Sequence, residues 1–513
     1  MESGDYIAIG SAVMPAVPNY TALRPSVVHG KIQPPLTRPA SLKPVVVNGV
    51  LVDPMLKGVE KLFGKQHYLD EDILDAAVND VFAGLGNKST PPIVHSYEEA
   101  IVGVDGDPYK RSLNRTTSPG YPYNLNNKGK GKSAWLGKDD IFDLTNVELR
   151  TDTENLINLA KKGIRGDAIF MATLKDEKRP HEKVDAGKTR VFEACPQHLA
   201  IALRQYFLDF AAHVMEHRIE NGIAVGINPY SLEWTKLAHR LQHFGDQLVA
   251  GDFSNFDGSL LMQVLMKILF AINEWYGGTE EDSLVRAALW EHICNADVLI
   301  QGHVIRQTHS QPSGNPLTVI INSLFNLIIM RVAYLLLKKE QRMPLVCDYS
   351  KYVKDVAYGD DDCKNISLLI INWFNQQTIT RILKTIGLTY TDETKGESER
   401  PYKRLSEITF LKRYFVQSED GTYMAPMEVT NILEITNWIK GGASKLATRE
   451  NCMQALMELG LHNKSIYDHW SKIISRECNS AGVNLRRPTY FEAREEFLAN
   501  RDIYAAARFS PLW

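Results

Sequence analysis

Residues 357–365 read Ala-Tyr-Gly-Asp-Asp-Asp-Cys-Lys-Asn, with a strand-like run from Tyr352 to Ala357 entering and a second apolar run from Ile366 to Ile371 leaving. Tight turns between strands select Gly and Asp, so the pattern predicts a β-hairpin with carboxylates at its tip. Gly-Asp-Asp alone says little, because both residue types are ordinary turn formers. Three adjacent aspartates say more. Their mutual repulsion disfavours the cluster unless a cation neutralises it.

A second carboxylate element lies upstream in Gly-Asp-Phe-Ser-Asn-Phe-Asp-Gly-Ser. There Asp252 follows the strand-like run Gln247 to Ala250, and Asp257 comes five residues later, past a bend suggested by Ser254-Asn255. Phosphoryl transfer to a sugar hydroxyl uses two divalent ions about 3.5–4 Å apart, each held by carboxylate oxygens. One ion lowers the pKa of the attacking hydroxyl and the other stabilises the leaving group. Carboxylates at the ends of two neighbouring strands, Asp252 and Asp360, can form such a clamp.

With 513 residues the chain is too long for one compact core and reads as a multi-lobed enzyme. The net charge of -3 argues neither for nor against a nucleic-acid partner, but its distribution is uneven. From Lys110 to Lys138 there are seven Lys or Arg and no acid; from Lys161 to Arg190 nine basic residues face five acidic ones. Either stretch alone reads as a solvated surface. The six cysteines, Cys195, Cys294, Cys347, Cys363, Cys452 and Cys478, form no Cys-x-x-Cys pair, which fits reduced thiols and gives no sign of structural zinc. The start lacks the basic and apolar regions of a signal peptide. Leu317 to Leu337 is greasy enough to raise the question of a membrane span. Asn322, Ser323, Asn326 and Arg331 interrupt it, so a buried core helix and no transmembrane segment are expected.

The first 54 residues hold eight prolines and read as an extended strap. A helix is expected near Tyr68, where Asp70, Glu71 and Asp72 precede Ile73, Leu74, Ala77 and Val81. Another is expected between Pro196 and Arg218. Thr116 to Lys138, rich in Gly, Pro, Asn and Lys, predicts a loop, and from about residue 427 the apolar spacing is helical. Mixed strands and helices with a helical C-terminal part indicate an α+β protein.

The motifs, taken in order, resemble those of RNA-dependent RNA polymerases of positive-strand picorna-like viruses, with an insect-virus (dicistrovirus or iflavirus) character. The resemblance covers roughly residues 115 to 415. It rests on Ser118-Pro119-Gly120-Tyr121-Pro122-Tyr123, Lys175-Asp176-Glu177 through Lys188-Thr189-Arg190, and Asp252 with Asp257. Ser313-Gly314 with Thr318 and Asn322, Tyr358-Gly359-Asp360-Asp361, Lys395 in Gly-Leu-Thr-Tyr-Thr-Asp-Glu-Thr-Lys-Gly, and Phe410-Leu411-Lys412-Arg413 complete it.

That resemblance implies a right-hand polymerase with closed fingertips: fingers and N-terminal strap over 1–207, palm over 208–290 and 311–415, a fingers insertion over 291–310 and a helical thumb over 416–513. It implies template-directed nucleotidyl transfer with two Mg²⁺ ions, for which Mn²⁺ can substitute. Asp252 and Asp360 are then metal ligands, with Asp361 beside them contributing mainly charge, and Asp362 a spare turn residue or, as the lesser alternative, an outer-shell metal contact. Asp257, Ser313 and Asn322 would read the ribose, with Thr318 in the same nucleotide site. A buried network built to bond a 2′-hydroxyl is left unpaired by a deoxyribose. Lys175, Arg179, Lys183 and Arg190 would line a triphosphate channel, where fixed cations offset phosphate charge. Lys178 stands where relatives often carry an apolar residue. Lys395 would be the general acid for pyrophosphate, its plain alternative being an ordinary surface lysine. Ser118, Gly120, Tyr121, Tyr123, Gly314, Lys412 and Arg413 would contact RNA, by stacking and phosphate attraction at the entry path and by gripping the primer strand.

The partners implied are an RNA template, a primer–product duplex, ribonucleoside triphosphates, a small genome-linked protein primer and a viral replication complex. The location implied is host cytoplasm at membrane-associated complexes. Two rivals are a reverse transcriptase and a non-catalytic RNA-binding scaffold. The first usually has a bulky aromatic where Asp257 stands; the second has no need of the full set of carboxylates, ribose readers and phosphate cations.

Overall fold

The computed structural model describes residues 6–126, 131–396 and 399–498. At its centre four antiparallel strands lie in the order Val353–Tyr358, Asp361–Ile366, Leu248–Phe253 and Tyr390–Asp392. The expected hairpin is present: Val353 pairs with Ile366 and the ladder runs to Tyr358 opposite Asp361. Only Gly359 and Asp360 remain to make the turn, and Gly359 takes the left-handed φ of 61° that the tight connection requires.

One face of this sheet packs on the helix Thr318–Glu340, which is long and apolar enough to cross a membrane but has 89% of its most apolar window buried in the protein. The polar residues that interrupt it have internal work. Ser323 Oγ accepts from Gly359 N at 2.8 Å, and Asn326 Nδ2 donates to Gly359 O at 3.1 Å. Arg331 reaches Asp80 at 2.5 Å and Asp355 at 3.2 Å. The hairpin turn is thus pinned to the core helix through both backbone groups of one glycine.

The helix expected near Tyr68 spans Glu71–Ala83 and is capped by the Asp70 side chain, which accepts from Asp72 N and Ile73 N. The one expected after Pro196 spans Gln197–Glu216 and is buried over nearly its whole length. A second sheet has five strands in the order Tyr6–Ser11, His303–Gln307, Asp297–Ile300, Ile169–Leu174 and Val191–Ala194. It joins the N-terminal segment, the 291–310 stretch and the basic 161–190 stretch. The loop expected over Thr116–Lys138 contains two short turns of helix, Tyr123–Asn126 and Ser133–Leu136; its residues Lys128 and Lys130 lie outside the described residues.

The C-terminal part is built from helices Ser444–Leu459, Lys464–Ser480 and Tyr490–Leu498, and the chain beyond 498 lies outside the described residues. One strand, Trp438–Lys440, departs from the helical expectation because it pairs with Leu23–Pro25 of the N-terminal strap. Val28 and Ile32 of the strap enter the apolar core of these helices beside Leu456, Leu459 and Ile474. Further on, Thr37–Pro39 pairs with Lys178–Pro180. The strap therefore ties the C-terminal lobe to the basic lobe and closes the molecule into a ring.

Candidate active site

Register places the carboxylates. Asp362 pairs with Gly251 across the two central strands, so one step further Asp252 stands level with Asp361 and next to the turn residue Asp360. The aspartates feel one another. Burial, followed by the charge of Asp257, with Asp252 and Asp362 adding, pushes the Asp360 carboxyl up to about 6. Burial pushes Asp361 up to about 8, with Asp362, Asp360 and Asp252 contributing and the amide of Leu411, which donates to its Oδ2 at 2.7 Å, opposing. This is an all-oxygen donor set with too little positive charge around it, the chemistry that suits hard divalent cations. Lys395 pairs with Asp252, its Nζ 3.6 Å from Oδ2 and its side chain 78% exposed. It is held there in a left-handed conformation by a turn whose centre is Asp392, which accepts from Thr394 N and Gly396 N.

Asp362 departs from the expectation of a spare turn residue. It is 2% exposed, and Lys364 Nζ donates to it at 2.5 Å and Tyr390 OH at 2.8 Å. Neighbouring residues of a strand point to opposite faces. Asp361 faces the site, so Asp362 must face inward, and it shares that face with Lys364 two residues on.

Past Asp252 the chain bends at Asn255, in the left-handed region, whose side chain donates to Lys61 O at 3.0 Å. Gly258 follows at a close approach, since a Cβ there would sit 2.0 Å from Lys61 O. The bend delivers Asp257, whose Oδ1 accepts from Asn322 Nδ2 at 2.8 Å. Gln311 completes the set: its amide N donates to Asp257 O at 2.8 Å and its Nε2 to Asn322 Oδ1 at 3.3 Å. Burial raises the Asp257 carboxyl, with Lys61 and Asn322 opposing. Ser313 lies beside this network but its amide and hydroxyl both donate to Glu193 Oε2 at 3.1 Å. Glu193 is fully buried, its other oxygen has no partner, and burial raises its carboxyl.

Asp257 and Ser313 open onto a cavity of about 1240 Å³ that is also lined by Lys61, Lys175, Arg179, Lys188, Arg190 and Asn255. Arg190 makes a two-pronged ion pair with Glu177, and Lys175 lies 3.6 Å from the same carboxylate. Burial would raise Glu177, but the hydrogen bonds of Arg190 and the charges around it hold the carboxyl below its ordinary value. Lys183 sits on the short helix His181–Asp185 and is not among the lining residues of this cavity; Lys61, which the sequence did not point to, and Lys188, a motif residue given no phosphate role, supply cations instead. Lys178 is not among the lining residues either: it is half-buried, burial lowers its ammonium, and the charge it feels is that of Glu434 in the C-terminal lobe.

A smaller adjoining cavity of about 390 Å³ brings together Ser118, Ser313, Gly314 and Thr318. Gly314 cannot carry a side chain, because a Cβ would lie 2.0 Å from Glu193 O. Thr318 Oγ1 donates back to Asn315 O at 2.9 Å, in the turn that precedes its helix. Lys132, on the same wall, is buried, and burial lowers its ammonium to about 8. Gly120 is left-handed and pressed against Cys195 O, which fixes the loop that carries half-exposed Tyr121.

Two residues expected on the RNA path are turned inward. Tyr123 is 6% exposed, donates its hydroxyl to Asp152 at 2.7 Å and packs against Trp135 and His198, so no ring face is free for a base. Arg413, its side chain only 11% exposed, pairs with Glu458 at 2.8 Å and donates to Tyr230 OH, locking the C-terminal lobe to the central one. Its neighbour Lys412 is exposed at the tip of the tight turn Phe410–Arg413, beside the Leu411 amide that holds Asp361.

A family model described as viral RNA-dependent RNA polymerase matches residues 31–477. The replicase polyprotein of Cricket paralysis virus is 39% identical over 488 residues, 90% of this chain and 27% of that protein. Those of Acute bee paralysis virus and Drosophila C virus are each 37% identical, over 94% and 91% of this chain and 26% and 28% of theirs. The chain spans little more than a quarter of the length of these relatives. Among solved structures, a Sicinivirus 3Dpol RNA dependent RNA polymerase superposes with a TM-score of 0.79 at 21% identity, covering 96% of this chain and 99% of that one, a likeness of fold.

Proposed function

The chain belongs to the viral RNA-dependent RNA polymerases, and we propose that it copies a positive-strand viral RNA genome by adding ribonucleoside monophosphates to an RNA 3′ end with two Mg²⁺ ions. The observation that carries this reading is the strand register that sets Asp252 level with the hairpin tip, 108 residues away in sequence, beside a cation-lined cavity. Asp252 and Asp360 would hold the divalent ions, with Asp361 adding negative charge. When bound, the ions make the 3′-hydroxyl more acidic and offset charge on the departing pyrophosphate.

The 3′-hydroxyl gives up its proton to water and its oxygen attacks the α-phosphorus as the bond to pyrophosphate breaks. Lys61, Lys175, Arg179, Lys188 and Arg190 orient the triphosphate for in-line attack. Lys395 gives a proton to pyrophosphate; its place next to Asp252 at an open surface supports that role. Asp257, held by Asn322 and Gln311, accepts the ribose 2′-hydroxyl. Lys412 and the Tyr121 loop bind the RNA strands. Fingers, palm and thumb take the bounds given above, and priming by a small genome-linked protein in a membrane-associated cytoplasmic complex belongs to the same reading.

Primer extension on a mixed-sequence RNA template tests it, comparing NTP with dNTP and Mg²⁺ with chelator. Mg²⁺-dependent extension with NTP is expected. Chelator-resistant extension, or equal use of dNTP, would overturn the mechanism.

A further inference from the structure

The helix Gln197–Glu216 begins beside the Tyr121 loop and ends roughly 30 Å away. Its last turn carries His213 and Glu216, and the next residue is His217. One ligand atom from each of these three lies within 4.8 Å of the other two. His213 is 6% exposed, and its Nε2 is buried without a hydrogen-bond partner. A buried ring nitrogen with no partner is costly unless something occupies its lone pair. We propose that His213, Glu216 and His217 bind a Zn²⁺ ion at the end of this helix, with a fourth position open to the neighbouring cavity.

Four independent features fit this ion. Two imidazoles and one carboxylate are a donor set that zinc accepts, leaving one position for water. His217 Nδ1 already contacts the His213 carbonyl oxygen at 3.0 Å; donation there fixes the tautomer and turns the lone pair of Nε2 outward, the arrangement common around metal-bound histidine. The C-terminal end of a 20-residue helix also presents partial negative charge, which favours a cation. Finally, His213 and Glu216 line a cavity of about 860 Å³, wide enough to admit a hydrated ion.

The ammonium of Lys88, on the same cavity wall, is committed to Trp275 O and the Trp275 ring face. The rings of His213 and His217 lie with centroids 4.3 Å apart. Tetrahedral zinc sets its donors roughly 3.4 Å apart, so small rotations of these three side chains from separations of at most 4.8 Å would close the site. Gly86 keeps the space for His217: any Cβ there would sit 2.6 Å from the ring.

The test uses the full chain stripped of metal and titrated with Zn²⁺ in saturating Mg²⁺, which occupies hard carboxylate sites. One equivalent of zinc should bind, and Co²⁺ in its place should give the intense visible absorption of a four-coordinate site. His217→Asn, at a half-exposed position, should weaken binding at least ~100-fold, since loss of an outer-shell partner alone typically costs ~10–100-fold. Glu216→Gln should weaken it less and keep the cobalt spectrum. The Asp252→Asn, Asp360→Asn double variant should retain the full equivalent. Zinc that disappears in that double variant, or that survives His217→Asn undiminished, would overturn the proposal.

Discussion

Asp257→Ala tests the ribose network most directly. The Asp257 carboxyl has one side-chain donor, Asn322 Nδ2 at 2.8 Å, and faces the cation-lined cavity with lone pairs to spare. A 2′-hydroxyl bonding there makes a hydrogen bond to a charged acceptor, worth about 1.5–3 kcal/mol; a deoxyribose leaves the carboxyl desolvated and unmatched. At 1.4 kcal/mol per factor of ten, that contact corresponds to roughly 10- to 150-fold preference for ribonucleotides. Removing the carboxyl should lower the NTP-to-dNTP ratio of kcat/KM by that factor, mainly through loss of NTP efficiency. Asn322 and Gln311 remain, so some preference should survive. Ser313→Ala should act more weakly, because that hydroxyl is already bonded to Glu193. Single-nucleotide incorporation with matched NTP and dNTP measures both ratios. An unchanged ratio in Asp257→Ala, with the variant folded and extending RNA, would refute the reasoning.

Asp360→Asn keeps the shape of the hairpin tip and removes one charge, so incorporation should fall by at least ~10²-fold with RNA binding and melting behaviour retained. Ordinary extension by that variant would remove Asp360 from the reaction. For Lys395→Leu, single-turnover rates should drop while nucleotide affinity stays constant; equal rates would leave the residue a surface lysine. Asp209 concerns stability. Burial would raise its carboxyl, but His95, the Ile93 amide and Lys110 hold it at about 2; burial would lower His95, but its hydrogen bonds to Asp209 and Glu99 outweigh that and raise it. A depressed carboxyl contributes stability above its ordinary 3.8 and loses it as pH falls toward 2; a raised histidine contributes below its ordinary 6.5 and loses it as pH rises through the folded value. Asp209→Asn should therefore cost most, roughly 3 kcal/mol, between about pH 4 and 6.5. A gap in melting temperature that does not vary with pH would contradict this.

Where sequence could be read, local rules were enough. Gly359 and the aspartates announce a turn between strands, and the polar residues of 318–340 announce a helix that is not meant for lipid. What those polar residues do was illegible, because Ser323 and Asn326 meet Gly359 only once the hairpin folds back onto the helix. Glu193, Gln311 and Lys61 escaped for the same reason: their partners lie far along the chain. Tyr123 and Arg413 expose another limit. A motif gives residue type and approximate place, whereas the direction of a side chain follows from packing, and both turn inward toward Asp152 and Glu458. Asp362 was different. Its inward orientation follows from the two-residue period of a strand once Asp361 is placed on the site face.

The segment Lys175–Pro180 shows why so much charge collects in one short stretch. Asp176 accepts from Thr21 and from the Ala22 amide, so it anchors the strap. Lys178 is turned toward Glu434, whose carboxylate in turn accepts from Leu36 N and Thr37 N, so it meets the strap and the C-terminal lobe together. Lys175 and Arg179 face the cavity, with Glu177 holding Arg190 in position beside them. Consecutive residues thus alternate between holding the ring closed and presenting cations to the site. Because both tasks share one backbone, loosening the strap should also displace the cavity cations.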